Sequence, residues 1–199
     1  MEIDALVQRV IGEIFVELEA SGRHVHVTKA QAQVLFGHGL TAKRPLSQPG
    51  QFLANERLTV KGPKGSFENV AVLGPEREAA QVEVSLTDAR SLGLEPPVRL
   101  SGDIKDSPGA VLLGSMGQVI LQQGVIVAKR HIHMTPADAA RFGVRDKQVV
   151  RLQTYTERPT TFADTVVRVS DKFETFVHLD YDEANACGFQ KGSLGRILP

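Results

Sequence analysis

Two stretches of this sequence carry histidines at a spacing that could hold a metal ion. His24-Val25-His26-Val27-Thr28 and His131-Ile132-His133-Met134-Thr135 each open a longer pattern that ends at Ala32 and Ala139. Each copy is preceded by an arginine, Arg23 or Arg130, and followed by Phe-Gly, at Phe36-Gly37 and Phe142-Gly143. Alternate side chains of an extended strand share a face, so each His-x-His pair presents two imidazoles to the same side. Imidazole suits zinc and other borderline divalent ions. The Thr that follows can cap a short helix, and Pro136 falls at a first-turn position where proline is tolerated.

The same frame laid over the rest of the chain finds two weaker copies, Gln81-Val82-Glu83-Val84-Ser85 and His178-Leu179-Asp180-Tyr181-Asp182. Both reach an Ala at the common end position, Ala89 and Ala186, and Gly93 and Gly188 follow as helix stops. Asp88 and Asp182 fall where helix starts favour acids. Four related strand-turn-helix units result. An isolated His-x-His reads most simply as two solvated histidines on an edge strand. Recurrence argues against that here, because five of the six histidines fall on the frame and only His38 is left to a loop.

Chain order pairs the first unit with the second and the third with the fourth. One triad is then His24, His26 and Glu83, and the other is His131, His133 and His178. Three protein ligands leave a coordination position open for water or substrate, as catalytic zinc requires. Asp180 is a reserve ligand, with helix capping as its simpler role. Arg77, in Gly74-Pro75-Glu76-Arg77 ahead of Glu83, offers a planar fork for an oxyanion, a surface ion pair being the plain alternative.

The elements that must position these groups are short strands. Ile3, Leu6, Val7, Val10, Ile11, Ile14 and Phe15 fit an amphipathic helix, and from Val16 the alternation of Val16, Leu18 and Ala20 marks a strand. Strand-like runs recur at 57–60, 69–73, 118–128, 148–153 and 165–169, and the Pro49-Gly50 pair marks a turn. Many short strands with short helical pieces predict a mainly β protein of barrels. At 199 residues the chain has room for one large domain or two small barrels.

Lys+Arg and Asp+Glu balance at 23 each, without a basic stripe interleaved with aromatics, so nucleic acid is not an expected partner. No apolar run is long enough to cross a bilayer, and no membrane association is expected. Cys187 is the one cysteine; it excludes an intramolecular disulfide and a thiolate-rich zinc cage, agrees with a reducing cytosol, and is read as packing. No Walker-type loop and no Ser/His/Asp motif occurs.

The chain resembles the PduL-type phosphotransacylases, the phosphate propanoyltransferase family associated with bacterial microcompartments. The resemblance runs from about Val16 to the C-terminus. It rests on Ser21-Gly22-Arg23-His24-Val25-His26, the stretch Leu46 to Phe52, Val72 to Arg77, Gln81 to Ser85, Ala128 to Met134 and His178 to Ala186. It implies two closed β-barrels capped by short helices, with two zinc ions between them. One barrel would take residues 11–20 plus 129–199 and the other 21–128, leaving 1–10 as an N-terminal helical segment. By the same resemblance His24, His26 and Glu83 bind one ion, and His131, His133 and His178 the other. Arg77 matches the phosphate-binding arginine and Asn185 a coenzyme A contact, with Ser21 as a second candidate for that ligand.

The reaction implied is transfer of an acyl group, propanoyl or another short chain, between coenzyme A and phosphate. Direct displacement is expected, because neither a cysteine nor a serine with a base occupies a nucleophile position. A cytoplasmic protein inside a bacterial microcompartment is implied, as a homodimer or other homo-oligomer, with the N-terminal helix contacting shell proteins. Two other readings stay open: a dinuclear metallohydrolase, and a non-catalytic metal-dependent binding module.

Overall fold

The computed structural model describes residues 3–198, with side chains at Val7 and from Val10 onward. The apolar positions Ile3 and Leu6 therefore lie outside the described side chains. Helix α1 (Ile3–Ile14) leads into β1 (Val16–Ser21), then β2 (His24–His26), α2 (Lys29–Phe36), β3 (Ala42–Pro45), β4 (Phe52–Lys61), β5 (Ser66–Gly74) and β6 (Gln81–Val84). Helix α3 (Leu86–Leu92) follows, then β7 (Val98–Arg99), β8 (Ala110–Leu113), β9 (Gln118–Leu121) and β10 (Val125–Ala128). The last stretch holds β11 (His131–Met134), α4 (Pro136–Phe142), β12 (Val149–Tyr155), β13 (Thr161–Val169), β14 (Phe176–Asp180), α5 (Tyr181–Ala186) and β15 (Leu194–Leu198). The helix runs to Ile14, so the change to strand falls at Val16, where the alternation begins, and not at residue 11.

The chain forms two compact units, one of residues 1–21 and 129–199 and the other of residues 22–128. In the first, six strands close into a barrel in the order β1-β14-β11-β13-β12-β15, with β15 returning to β1. In the second, the order is β7-β10-β6-β2-β5-β4-β8-β9, with β3 on β4. The two orders share a segment. β14-β11-β13-β12 and β6-β2-β5-β4 have the same sequence of antiparallel, parallel and antiparallel pairings. A parallel strand lies outside each, β1 on β14 and β10 on β6.

Closure separates the units. β15 pairs with both β12 and β1, whereas its counterpart β8 pairs with β4 and then with β9, and the outer edge of β10 is taken by β7. The fold is thus mainly β with short helices, as expected, the first unit a closed barrel and the second a strongly curled half-barrel.

Each unit has its own core. Val25, Val27, Leu35, Leu58, Val72, Val82, Leu92 and Leu112 are buried in the second, and Val16, Leu18, Ile132, Met134, Leu152, Val167, Val177 and Leu179 in the first. Each such side chain contributes roughly 1.5–3 kcal/mol of burial. Cys187 belongs to the first unit's core, as packing requires. Because β2 and β11 send Val25 and Ile132 into these cores, their histidines face the opposite side.

The helices end as the sequence marks them. Thr28, Ser85, Thr135 and Asp180 are N-caps, each accepting from the backbone N–H three residues on. Gly37, Gly93 and Gly143 take the left-handed conformation that closes α2, α3 and α4. Gly74 is required for another reason: the ring of Phe52 occupies the place of a Cβ. Among the described residues no helix is long and apolar enough to cross a membrane.

Candidate functional site

Antiparallel pairing of β2 with β6 sets His24 opposite Glu83 and His26 opposite Gln81. Nε2 of His24 lies 3.5 Å and Nε2 of His26 3.8 Å from Oε1 of Glu83. In the other unit β11 pairs with β14 so that His131 faces His178. The centroids of the His131, His133 and His178 rings are 4.6 to 4.9 Å apart, and Phe173 stacks on His133 at 4.0 Å. Within each triad the three candidate ligand atoms lie within 4.8 Å of one another. The structure therefore gathers the residues of each triad as the sequence grouped them.

The leading histidines are oriented by one repeated device. Nδ1 of His24 is 2.8 Å from the Gly22 carbonyl and Nδ1 of His131 is 2.9 Å from that of Lys129. A carbonyl oxygen only accepts, so Nδ1 donates and Nε2 is left to face the triad. His26 donates from Nδ1 to the Leu73 carbonyl at 3.2 Å, and Nδ1 of His178 lies 3.4 Å from Glu19 Oε2.

Charge inside the first triad is strongly coupled. Burial opposes an ionised Glu83, but the adjacent His24 and then His26 and Ser101 outweigh it and hold its pKa below the usual carboxylate range. For His24, burial opposes the imidazolium and the Glu83 carboxylate more than offsets it, so its pKa is raised. Burial lowers His26 to about 3, with the charges of His24 and Arg77 adding to the effect. The site holds one carboxylate, one readily protonated imidazole and one imidazole kept neutral. A buried N,N,O set and a largely buried N,N,N set, both without a thiolate, fit a borderline divalent ion such as zinc.

The fourth copy of the repeat is slipped by two residues. The sequence frame sets His178 against Gln81 and Asp180 against Glu83; in the structure His178 takes the place of Glu83, and Asp180 that of the N-cap Ser85. Asp180 uses its carboxylate to accept from the Glu183 N–H at 2.9 Å, so capping, and not the reserve ligand role, is what the geometry shows. Corrected this way the two units match further. Arg23 bonds Asp88 at 2.6 Å and Arg130 bonds Glu183 at 2.5 Å, the acid in each case being the third residue of the capped helix.

Arg77 follows the Gly74-Pro75 turn. Its backbone N–H donates to the Val27 carbonyl at 2.9 Å, and its Nη1 donates to Ser101 Oγ at 3.1 Å. Ser101 in turn donates to Glu83 Oε1 at 2.9 Å, which brings the arginine to the first triad. Ser101 lies in a turn after β7, outside every repeat copy, and nothing in its sequence context marks it. Ser21 and Asn185 belong to the unit that holds the second triad. Ser21 ends β1 in register with Asp180, and Asn185 is exposed on α5, its carbonyl accepting from Arg158 at 3.4 Å.

Comparison with known proteins gives one answer. The family model described as phosphate propanoyltransferase matches residues 17–190. A phosphate propanoyltransferase of Clostridioides difficile (strain 630) is 50% identical over 198 residues, spanning 98% of this chain and 95% of that protein. One from Enterococcus faecalis (strain ATCC 700802 / V583) is 54% identical over 184 residues, spanning 92% and 87% respectively. One from Thermotoga maritima is 48% identical over 181 residues, 89% of this chain and 86% of that protein.

Proposed function

The chain belongs to the phosphate propanoyltransferase family, and on that premise we propose that it exchanges a short acyl group, propanoyl first among them, between coenzyme A and phosphate with two zinc ions on its triads. The observation that carries this reading is the pair of three-donor groups, buried but for a half-buried His178, each with its ligand atoms within 4.8 Å of one another. Three protein donors leave room for a substrate atom. When bound, such ions supply Lewis-acid polarisation of an acyl oxygen and stabilise a thiolate.

The chain's own residues provide the rest. In the forward direction a phosphate oxygen bonds the thioester carbonyl carbon and the C–S bond breaks, releasing coenzyme A as the thiolate. Arg77 holds the phosphate by its planar fork and offsets its charge, while Ser21 and Asn185 contact coenzyme A. Direct displacement is supported by the state of Cys187. It is fully buried, and burial pushes its thiol pKa up, the opposite of what an acyl-carrying nucleophile needs. Docking of α1 on microcompartment shell proteins belongs to the same proposal, supported by exposed Val7, Val10 and Ile14 on that helix.

The test is release of free thiol from propanoyl-CoA by the purified protein, with and without phosphate, before and after chelation and on return of zinc. Phosphate-dependent release that disappears on chelation and returns with zinc is the expected result. Equal release without phosphate replaces transfer with hydrolysis, and no release under any condition leaves a binding module.

A further inference from the structure

One hydroxyl touches both functional parts of the first site. Ser101 Oγ accepts from Arg77 Nη1 at 3.1 Å and from Gln81 Nε2 at 2.8 Å, and donates to Glu83 Oε1 at 2.9 Å. A serine hydroxyl has one proton and two lone pairs, so these three bonds use its whole capacity. Gln81 locks the arrangement. Its amide also donates to Glu83 Oε1 at 2.5 Å, and its carbonyl oxygen accepts from the Gly102 N–H at 2.7 Å, which pins the turn that carries Ser101. Gln81 is itself buried, in register with His26.

A carboxylate has a broad, roughly two-fold torsion at its end, so burial alone does not choose which oxygen faces the histidines. Two donors on Oε1 do. A guanidinium on a long side chain likewise needs an anchor to present its fork in one orientation. In the second triad the residue matching Gln81 is Phe176, and Nδ1 of His178 lies 3.4 Å from Glu19 Oε2.

We infer that Ser101 is a positioning residue, whose hydroxyl sets Glu83 toward the two histidines and at the same time anchors the phosphate-binding guanidinium of Arg77. This rests on the reading of Arg77 and the first triad given above. It makes ion affinity and phosphate recognition depend on one atom that contacts neither ligand.

The experiment compares Ser101→Ala and Ser101→Thr in the full chain. Zinc affinity of the first triad is read by competition with a chromophoric chelator in a His133→Ala background, and phosphate and propanoyl-CoA kinetics are measured in the otherwise wild-type chain. Ser101→Ala is expected to weaken zinc binding by about 10- to 100-fold, the range for a lost outer partner of a metal ligand. It should also raise the KM for phosphate more than that for propanoyl-CoA, while Ser101→Thr, which keeps the hydroxyl, stays near wild type in both. Combined with Arg77→Ala, the loss in kcat/KM should be less than the product of the single losses, because the two residues act through one contact.

Wild-type zinc affinity in Ser101→Ala, or a fully multiplicative double variant, overturns the positioning role. Undiminished turnover in Arg77→Ala alone overturns the reading of Arg77, a separate failure. Ser101 is half-buried on a turn, so alanine should fold; if it does not, Ser101→Cys, similar in size with a weaker donor, carries the same comparison.

Discussion

At the scale of single residues, charge and geometry can be separated at Arg77. Arg77→Ala should retain zinc and fold while kcat/KM falls by about 100- to 1000-fold, the cost of removing an oriented charge from a developing oxyanion. Arg77→Lys should recover little, since an ammonium lacks the fork; steady-state kinetics with metal content measured alongside decide it. His24 sets a pH dependence. Its raised pKa means that a proton would compete with the proposed zinc ion for the place beside Glu83 already above pH 6.5, and affinity should fall about tenfold per unit below that raised value. His26, at about 3, adds no competition over that range. Zinc titration of His133→Ala from pH 8 to pH 5.5 checks this, and a flat profile would remove the His24–Glu83 coupling. The triads were legible because strand alternation places both members of His-x-His on one face. Ser101 was not, since a serine in a turn becomes informative only when folding brings it to Glu83; the capping role of Asp180 was legible, but not the two-residue slip that puts His178 in the place of Glu83.

At the scale of elements, α1 is set apart by the apolar side chains it leaves exposed. Val7, Val10 and Ile14 are exposed, while β1 beyond it sends Val16 and Leu18 into the core. Deleting residues 2–11 should leave both zinc ions bound and shift Tm by only a few degrees, while abolishing any association with shell proteins. Thermal melts, metal analysis and co-sedimentation read the three outcomes, and loss of folding would make α1 part of the core. The boundary at Val16 was legible because helical spacing gives way there to alternation, whereas family likeness alone moved it to residue 11. Repeat units and two of the caps were legible too, from Thr28 and Thr135. Non-closure of the second sheet was not, because it depends on β8 pairing with β9 and on two-residue β7, features without a periodic signal.

At the scale of the molecule, the two units differ in how their chain is supplied. Residues 22–128 contain every strand of the second sheet, so that fragment should fold cooperatively and bind one zinc ion, lost in His24→Ala. Residues 129–199 lack β1, which leaves β14 and β15 without their shared neighbour and the core without Val16 and Leu18. That fragment should stay unfolded until a peptide of residues 1–21 is added, as circular dichroism and zinc binding would show; folding without the peptide would make β1 dispensable. The same discontinuity imposes an order on biosynthesis. β1 leaves the ribosome before the other strands, yet its partner Val177 lies about 160 residues behind Leu18 in the chain. At roughly 5–20 residues per second the strand waits on the order of ten to thirty seconds, while the second unit is completed and free to fold. During that interval its apolar face and unpaired edge are open to any other sheet or chaperone, so β1 is the strand of the first unit that waits longest for its partners.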